Sequence, residues 1–207
     1  LQPDIGQTLL ILFLWLVLIF ISGISFVFLI SLFIILILLF SYLILFVSKF
    51  SYIKSRIFSF FDPETGTHNF QSDKAIESII SGGFFGKGIG EGTLKNRVPE
   101  AHTDYIISVI SEEFGVIAII LILFLFLVFI HTVFRKVNLE NNDRSKLILV
   151  GCVSLILMQV MIHVGVNIRL FPTTGMTLPF ISYGGSSIVG MSIISGIILN
   201  LTKRKIN

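Results

Sequence analysis

Four carboxylates and a histidine crowd into one short stretch, "VPEAHTDYIISVISEEFG", from Val98 to Gly115. They are Glu100, His102, Asp104, Glu112 and Glu113, and the residues that follow are uncharged and, but for Ala118, all isoleucine, leucine, valine or phenylalanine up to Ile130. Ionisable groups beside so apolar a run are costly to place, and they mark a candidate functional site with a wet or polar surround. A helix beginning just after Asp104 and running to about Val133 would line Asp104, Ser108, Ser111, Glu112 and Gly115 along one face. Polar groups at membrane depth ordinarily face a bundle interior or a wet cavity. The plainer alternative makes Asp104 a helix N-cap and lets Glu112 and Glu113 snorkel in the interface.

Two further polar groupings accompany it. Gln159, His163 and Asn167 recur at i, i+4 and i+8 inside another apolar block, with Arg169 just beyond, and three polar groups on one stripe of a spanning helix are costly to leave without partners. In "TLPFISYGGSS", Pro179, Gly184 and Gly185 interrupt regular helix beside Ser182, Tyr183 and Ser186. Packing alone explains the small pairs Ser186 with Gly190 and Ser192 with Gly196. Together these three polar helix ends suit a substrate with a polar head and a lipid tail. Lys87, Lys95, Arg97 and Arg169 are candidates for holding an anionic group by charge and outer-side position, although for each taken singly a solvated loop charge is the plainer reading.

The elements that must position these residues follow from composition. Hydrophobic residues make up 54% of the 207 positions and charged residues 13%, about half the roughly 25% charge of a soluble domain. This is the composition of a polytopic membrane protein. The small basic excess, 15 Lys and Arg against 12 Asp and Glu, is scattered between apolar blocks, so there is no nucleic-acid footprint and the implied partner is membrane lipid. The single cysteine, Cys152, lies in an apolar run and reads as core packing. The chain opens at Leu1 without an initiator methionine or a charged n-region, which reads as a fragment rather than a signal peptide.

No charge occurs from Ile5 to Val47, and those 43 positions would make a helix of roughly 65 Å, twice the hydrocarbon thickness. Two spans must fold there, breaking at Ser22 to Ser25. The expected fold is all-α, a transmembrane bundle with about five spans at 5–21, 26–47, 105–134, 147–166 and 180–201, and a large extracytoplasmic loop over 48–104. Helices are required because lipid leaves no partner for open backbone groups. The loop 135–146 carries four Lys or Arg and the tail 203–205 carries three, which makes the C-terminal side cytoplasmic by the positive-inside rule. Lys49, Lys54 and Arg56 run against that rule.

Within the outer loop, "FQSDKAIESIISGGFFG" spaces Phe70, Ile76, Ile79 and Ile80 as a helix lying along the membrane surface would. "GGFFGKGIGEG" lacks the preceding strand and the Gly-Lys-Ser/Thr ending of a phosphate loop, so nucleotide binding is set aside. Its six glycines in eleven residues permit tight turns or a close backbone approach to a ligand.

"PEAHTDYI", "SEEFG", "PTTGMTLPFISYGGSS" and the opening "QPDIG" resemble the SEDS family (shape, elongation, division and sporulation) of integral-membrane peptidoglycan glycosyltransferases. The likeness runs over the whole chain and covers about the C-terminal half of a ten-span member, and "PTTGMTLPF" is closer to the division-type pattern. The resemblance implies polymerisation of lipid II at the outer face of the bacterial plasma membrane, with an undecaprenyl-diphosphate-linked glycan as donor. It implies a class B penicillin-binding protein and other divisome membrane proteins as partners. The family's essential acid falls on Asp104, as a general base towards the acceptor hydroxyl. A divalent cation, Mg or Mn, could bridge the diphosphate and an acid, although no metal-ligand spacing requires one. Thr174 and Asn96 depart from the Lys and the acid of many division-type members, so contacts assigned there do not carry over. Glu100 and His102 match the motif and could serve only to fix the loop around Asp104.

Two other functions compete. A lipid-linked sugar flippase or transporter would also use polar stripes and broken helices, but should place them near the bilayer midplane. Asp104, Asn167 and Tyr183 are expected towards one face, with Gln159 deeper. A noncatalytic division scaffold is the third reading.

Overall fold

The computed structural model describes residues 4–61, 67–93 and 98–203. Its helices are α1 (Ile5–Ile21), α2 (Phe26–Phe46), α3 (Ser51–Phe61), α4 (Thr67–Gly82), α5 (Ile106–Leu139), α6 (Asp143–Asn167) and α7 (Gly185–Thr202), with one 3-10 turn at Ser48–Phe50. No strand occurs among the described residues. Four helices, α2, α5, α6 and α7, are long and apolar enough to cross a membrane. The apolar α1 has 17 residues, about 25 Å of helix. The chain is a multi-pass helical membrane protein.

Helix ends follow local chemistry. Asp4 caps α1, its Oδ1 accepting the Gln7 N–H at 3.0 Å, and Asn142 caps α6 through the Arg144 N–H at 3.0 Å, each satisfying a donor that a helix start leaves unpaired. α6 is the hub, packed on α1, α4, α5 and α7. Val150, Val153, Ile156 and Val160 of α6 form one core with Val133 and Val137 of α5 and Met191 and Ile198 of α7. A second core joins Leu10 of α1, Ala75 of α4, Tyr105 and Val109 to Ile162 and Val166 of α6. α2 keeps most of its large side chains exposed, as a lipid-facing helix does.

In α4 the residues buried against α5 are Ser72, Ala75, Ser78 and Gly82, a stripe of small side chains that lets two helices approach closely. Phe70 and Ile80 are exposed, away from α5. One local expectation changes: α5 is not one continuous helix, because Gly115 breaks it with φ 81° and ψ 174°.

In an unbroken helix the carbonyls of Glu112 and Glu113 would accept from Val116 and Ile117. Here they accept instead from the N–H groups of Lys87 (2.8 Å) and Gly88 (3.1 Å), while Val116 and Ile117 donate to the carbonyls of Gly83 (3.0 Å) and Phe84 (3.4 Å). The glycine loop is thereby spliced into the helix, backbone to backbone, and leaves none of these four groups unpaired. A Cβ on Gly82 would stand 1.9 Å from the Ser111 carbonyl oxygen, and one on Gly86 2.2 Å from that of Glu113. The close approach expected of this loop is to α5 itself.

Candidate active site

Asp104 occupies a turn just ahead of α5. Glu100, at φ 56°, turns its carbonyl to accept the N–H groups of Thr103 and Asp104, both at 3.1 Å, and Thr103 Oγ1 sits 3.0 Å from Glu100 Oε2. Three successive carbonyls are then held by three different groups. His102 O accepts the Tyr183 N–H at 3.0 Å, Thr103 O accepts Ser182 Oγ–H at 2.7 Å, and Asp104 O accepts Asn167 Nδ2–H at 3.0 Å. The backbone that carries the Asp104 carboxylate is thus held from several sides, which restricts where the side chain can reach.

The segment 168–184 between α6 and α7 forms a strap over this turn. Its backbone is bound by the polar stripe of α6: Gln159 Nε2–H donates to Thr177 O at 2.9 Å and His163 Nδ1 lies 2.7 Å from Met176 O. Ser182 Oγ accepts the Leu178 N–H at 2.8 Å while donating to Thr103. On the other flank Arg56 of α3 donates through Nη1 to Thr173 O at 3.1 Å. Gly175, at φ 70°, brings the strap close enough that a Cβ there would lie 3.7 Å from Asp104 Oδ2.

Burial first, and then the Glu100 carboxylate, raise the Asp104 carboxyl above the ordinary aspartate value, with the Arg56 charge and a Thr103 hydrogen bond pulling the other way. A half-buried acid raised in this way holds its proton more strongly once it has taken it, which suits a base. Below the strap, an apolar groove of about 490 Å³ runs between α1, α2 and α6, with Gly6, Phe171 and Thr174 among its lining residues and Phe33 and Leu16 deeper along it.

The sequence-predicted residues divide by position. Glu100, Asp104, Asn167 and Ser182 meet in this cluster, joined to His163 and Gln159 through the strap. His102 contributes its backbone and leaves its side chain exposed, as does Tyr183. Gly184 and Gly185 begin α7, and Ser186 is exposed on its first turn. Glu112 lies at the break in α5, fully enclosed, where Oε2 accepts Ser78 Oγ–H at 3.1 Å and Oε1 stands 3.6 Å from Lys87 Nζ. Arg169 pairs with Asp73 of α4. Lys95 and Arg97 lie outside the described residues. Among the described residues no three His, Cys, Asp or Glu side chains form a metal-binding group. Sequence reasoning missed Arg56 as a neighbour of Asp104. The available signal was slight: Arg56 belongs to the group of cations, with Lys49 and Lys54, that runs against the sidedness expected from the other loops.

The cell cycle protein family model covering FtsW, RodA and SpoVE matches residues 1–207. The chain belongs to this family. It is 36% identical over 206 residues, 99% of its length and 51% of the relative's, to a probable peptidoglycan glycosyltransferase FtsW of Caulobacter vibrioides. It is 36% identical over 205 residues, 98% of its length and 55% of the relative's, to stage V sporulation protein E of Bacillus subtilis. A probable FtsW of Enterococcus hirae is 38% identical over 162 residues, 77% of this chain and 41% of that one. The fold resembles a chain from a solved peptidoglycan synthase complex that coordinates polymerization and crosslinking, with TM-score 0.72, 26% identity, and coverage of 97% of this chain and 55% of that one. The chain thus spans about half the length of the family relatives it matches.

Proposed function

We propose that this chain is part of a division-type peptidoglycan glycosyltransferase that polymerises lipid II at the outer face of the bacterial plasma membrane, with its C-terminus cytoplasmic. One observation carries the reading: Asp104, a raised carboxyl on a backbone held from several sides, stands at the end of the bundle where the strap meets a lipid-sized apolar groove. In this reading the groove receives a polyprenyl chain and the sugar stands above it, against Asp104. The carboxylate takes the proton from the acceptor hydroxyl while that oxygen attacks the anomeric carbon, and the polyprenyl diphosphate departs with the bonding electrons. Arg56, on the flank of the strap, supplies positive charge beside the leaving diphosphate. A divalent cation would take most of its ligands from the diphosphate, with Asp104 or Glu100 completing them.

Family membership and the likeness to a chain from a peptidoglycan synthase complex support a class B penicillin-binding protein as the partner that cross-links the product, beside other divisome membrane proteins. The transporter reading drew on Gln159 as a deep polar residue. Its side-chain amide is bonded to the strap at Thr177, which favours a structural latch over a translocation path.

The test is Asp104→Asn in the full-length protein, with labelled lipid II as substrate. Polymer formation should fall by roughly 10²–10⁴-fold at unchanged membrane abundance. Normal polymerisation by the variant would remove the proposal, and scrambling of lipid II between leaflets without polymer would favour the flippase.

A further inference from the structure

The geometry points to the glycine loop as a membrane anchor: Phe84, Phe85 and Ile89 enter the acyl region of the outer leaflet at the level of the break in α5. Depth is the first argument. From Gly115 to Phe134 α5 carries no Asp, Glu, Lys or Arg, and those 20 residues make about 30 Å of helix, the thickness of the hydrocarbon core. Arg135 and Lys136 mark one boundary, which leaves Gly115 at the other. The loop is hydrogen-bonded to Glu112, Glu113, Val116 and Ile117, so it sits at the level of that boundary, and any tilt of α5 carries it further into the core.

Exposure is the second argument. Phe84 is 75% exposed, Phe85 84% and Ile89 78%, although they flank a tightly packed joint. They cannot fold inward, because the backbone of Gly82, Gly86 and Gly115 already fills the space against α5 and the helix carbonyls. The patch continues onto Ile80 of α4 and onto Phe114 and Ile117 of α5, so it merges with a surface that already faces lipid. A protein interface would be rimmed by polar groups. Here Lys87 and Glu113 are turned to α5 and to the Gly90 N–H, and Glu91 is the exposed charge at one edge of the loop. Apolar patches of this kind mark protein or membrane contacts, and the depth selects the membrane. The inference does not depend on the glycosyltransferase reading.

The test uses the full-length protein in phosphatidylcholine vesicles, with its native tryptophans, including Trp15, replaced by phenylalanine and Phe85→Trp as the reporter. Emission should be blue-shifted, little affected by aqueous acrylamide, and quenched several-fold more by lipid brominated near the carbonyl end of its chains than by lipid brominated near the methyl end. Ile89→Trp, read in the same way, covers a failure of the first variant to fold. Acrylamide quenching with no effect of either lipid would overturn the inference. So would lipid quenching that vanishes when a class B penicillin-binding protein is added in equal amount, which would assign the patch to that partner.

Discussion

At the scale of residues, Asp104 is governed by neighbours that pull in opposite directions, and this makes its role measurable. A base works ionised, and burial raises its pKa, so the rate of lipid II polymerisation should climb with pH through a midpoint above the ordinary aspartate value. Glu100→Gln removes a repelling anion and should lower that midpoint. Arg56→Gln removes an attracting cation and should raise it. Asn167→Ala deletes the hydrogen bond to the Asp104 carbonyl without changing charge, so turnover should drop by about 10- to 100-fold through misplacement while the midpoint stays where it was. Rate against pH for the three variants checks all these outcomes, and three identical profiles would contradict them. Asp104 itself was legible in the sequence because its motif is local and dense in charge. Arg56, Thr173 and Gly175 were not, since only packing brings residues so distant along the chain to one carboxylate.

At the scale of elements, the joint between the glycine loop and α5 separates two kinds of glycine. Gly115 adopts a backbone conformation costly for any other residue, and a Cβ there would lie 2.1 Å from the Phe84 carbonyl oxygen. Gly115→Ala should therefore cost at least about 1–3 kcal/mol from backbone strain alone. Gly190 in α7 meets nothing within 4 Å, and Gly190→Ala should be neutral or stabilising by up to about 1 kcal/mol. Thermal unfolding of the two variants in detergent checks the contrast. Composition alone could not reveal the break. "SEEFG" contains no proline and leads into a long apolar run, so periodicity extends the helix straight through it. Likewise the glycines of the loop announced a close approach, and only the fold supplies what is approached. α4 was readable as an amphipathic helix, but which face met the protein depended on knowing that its neighbour is a helix with serines of its own at Ser108 and Ser111.

At the scale of the whole molecule, the apolar helices were legible from the uncharged runs, because each must be long enough to approach a bilayer's hydrocarbon thickness and be bounded by polar turns. Their antiparallel order gathers the starts of α1, α5 and α7 and the end of α6 about Asp104, and sets the α5–α6 connection at the opposite end. With Cys152 replaced by serine, Tyr183→Cys should be labelled by a membrane-impermeant maleimide from outside the cell, and Asn141→Cys only after the inner side is opened. Labelling of both from one side would reverse the bundle or dismantle it. The splice at Gly115 also fixes the loop's length. Its four hydrogen bonds pair Gly83, Phe84, Lys87 and Gly88 with set partners on α5, so an inserted or deleted residue among them would slide every donor past its acceptor, as a frameshift misreads each codon downstream, whereas single side-chain swaps at Phe84 or Phe85 would leave the register untouched.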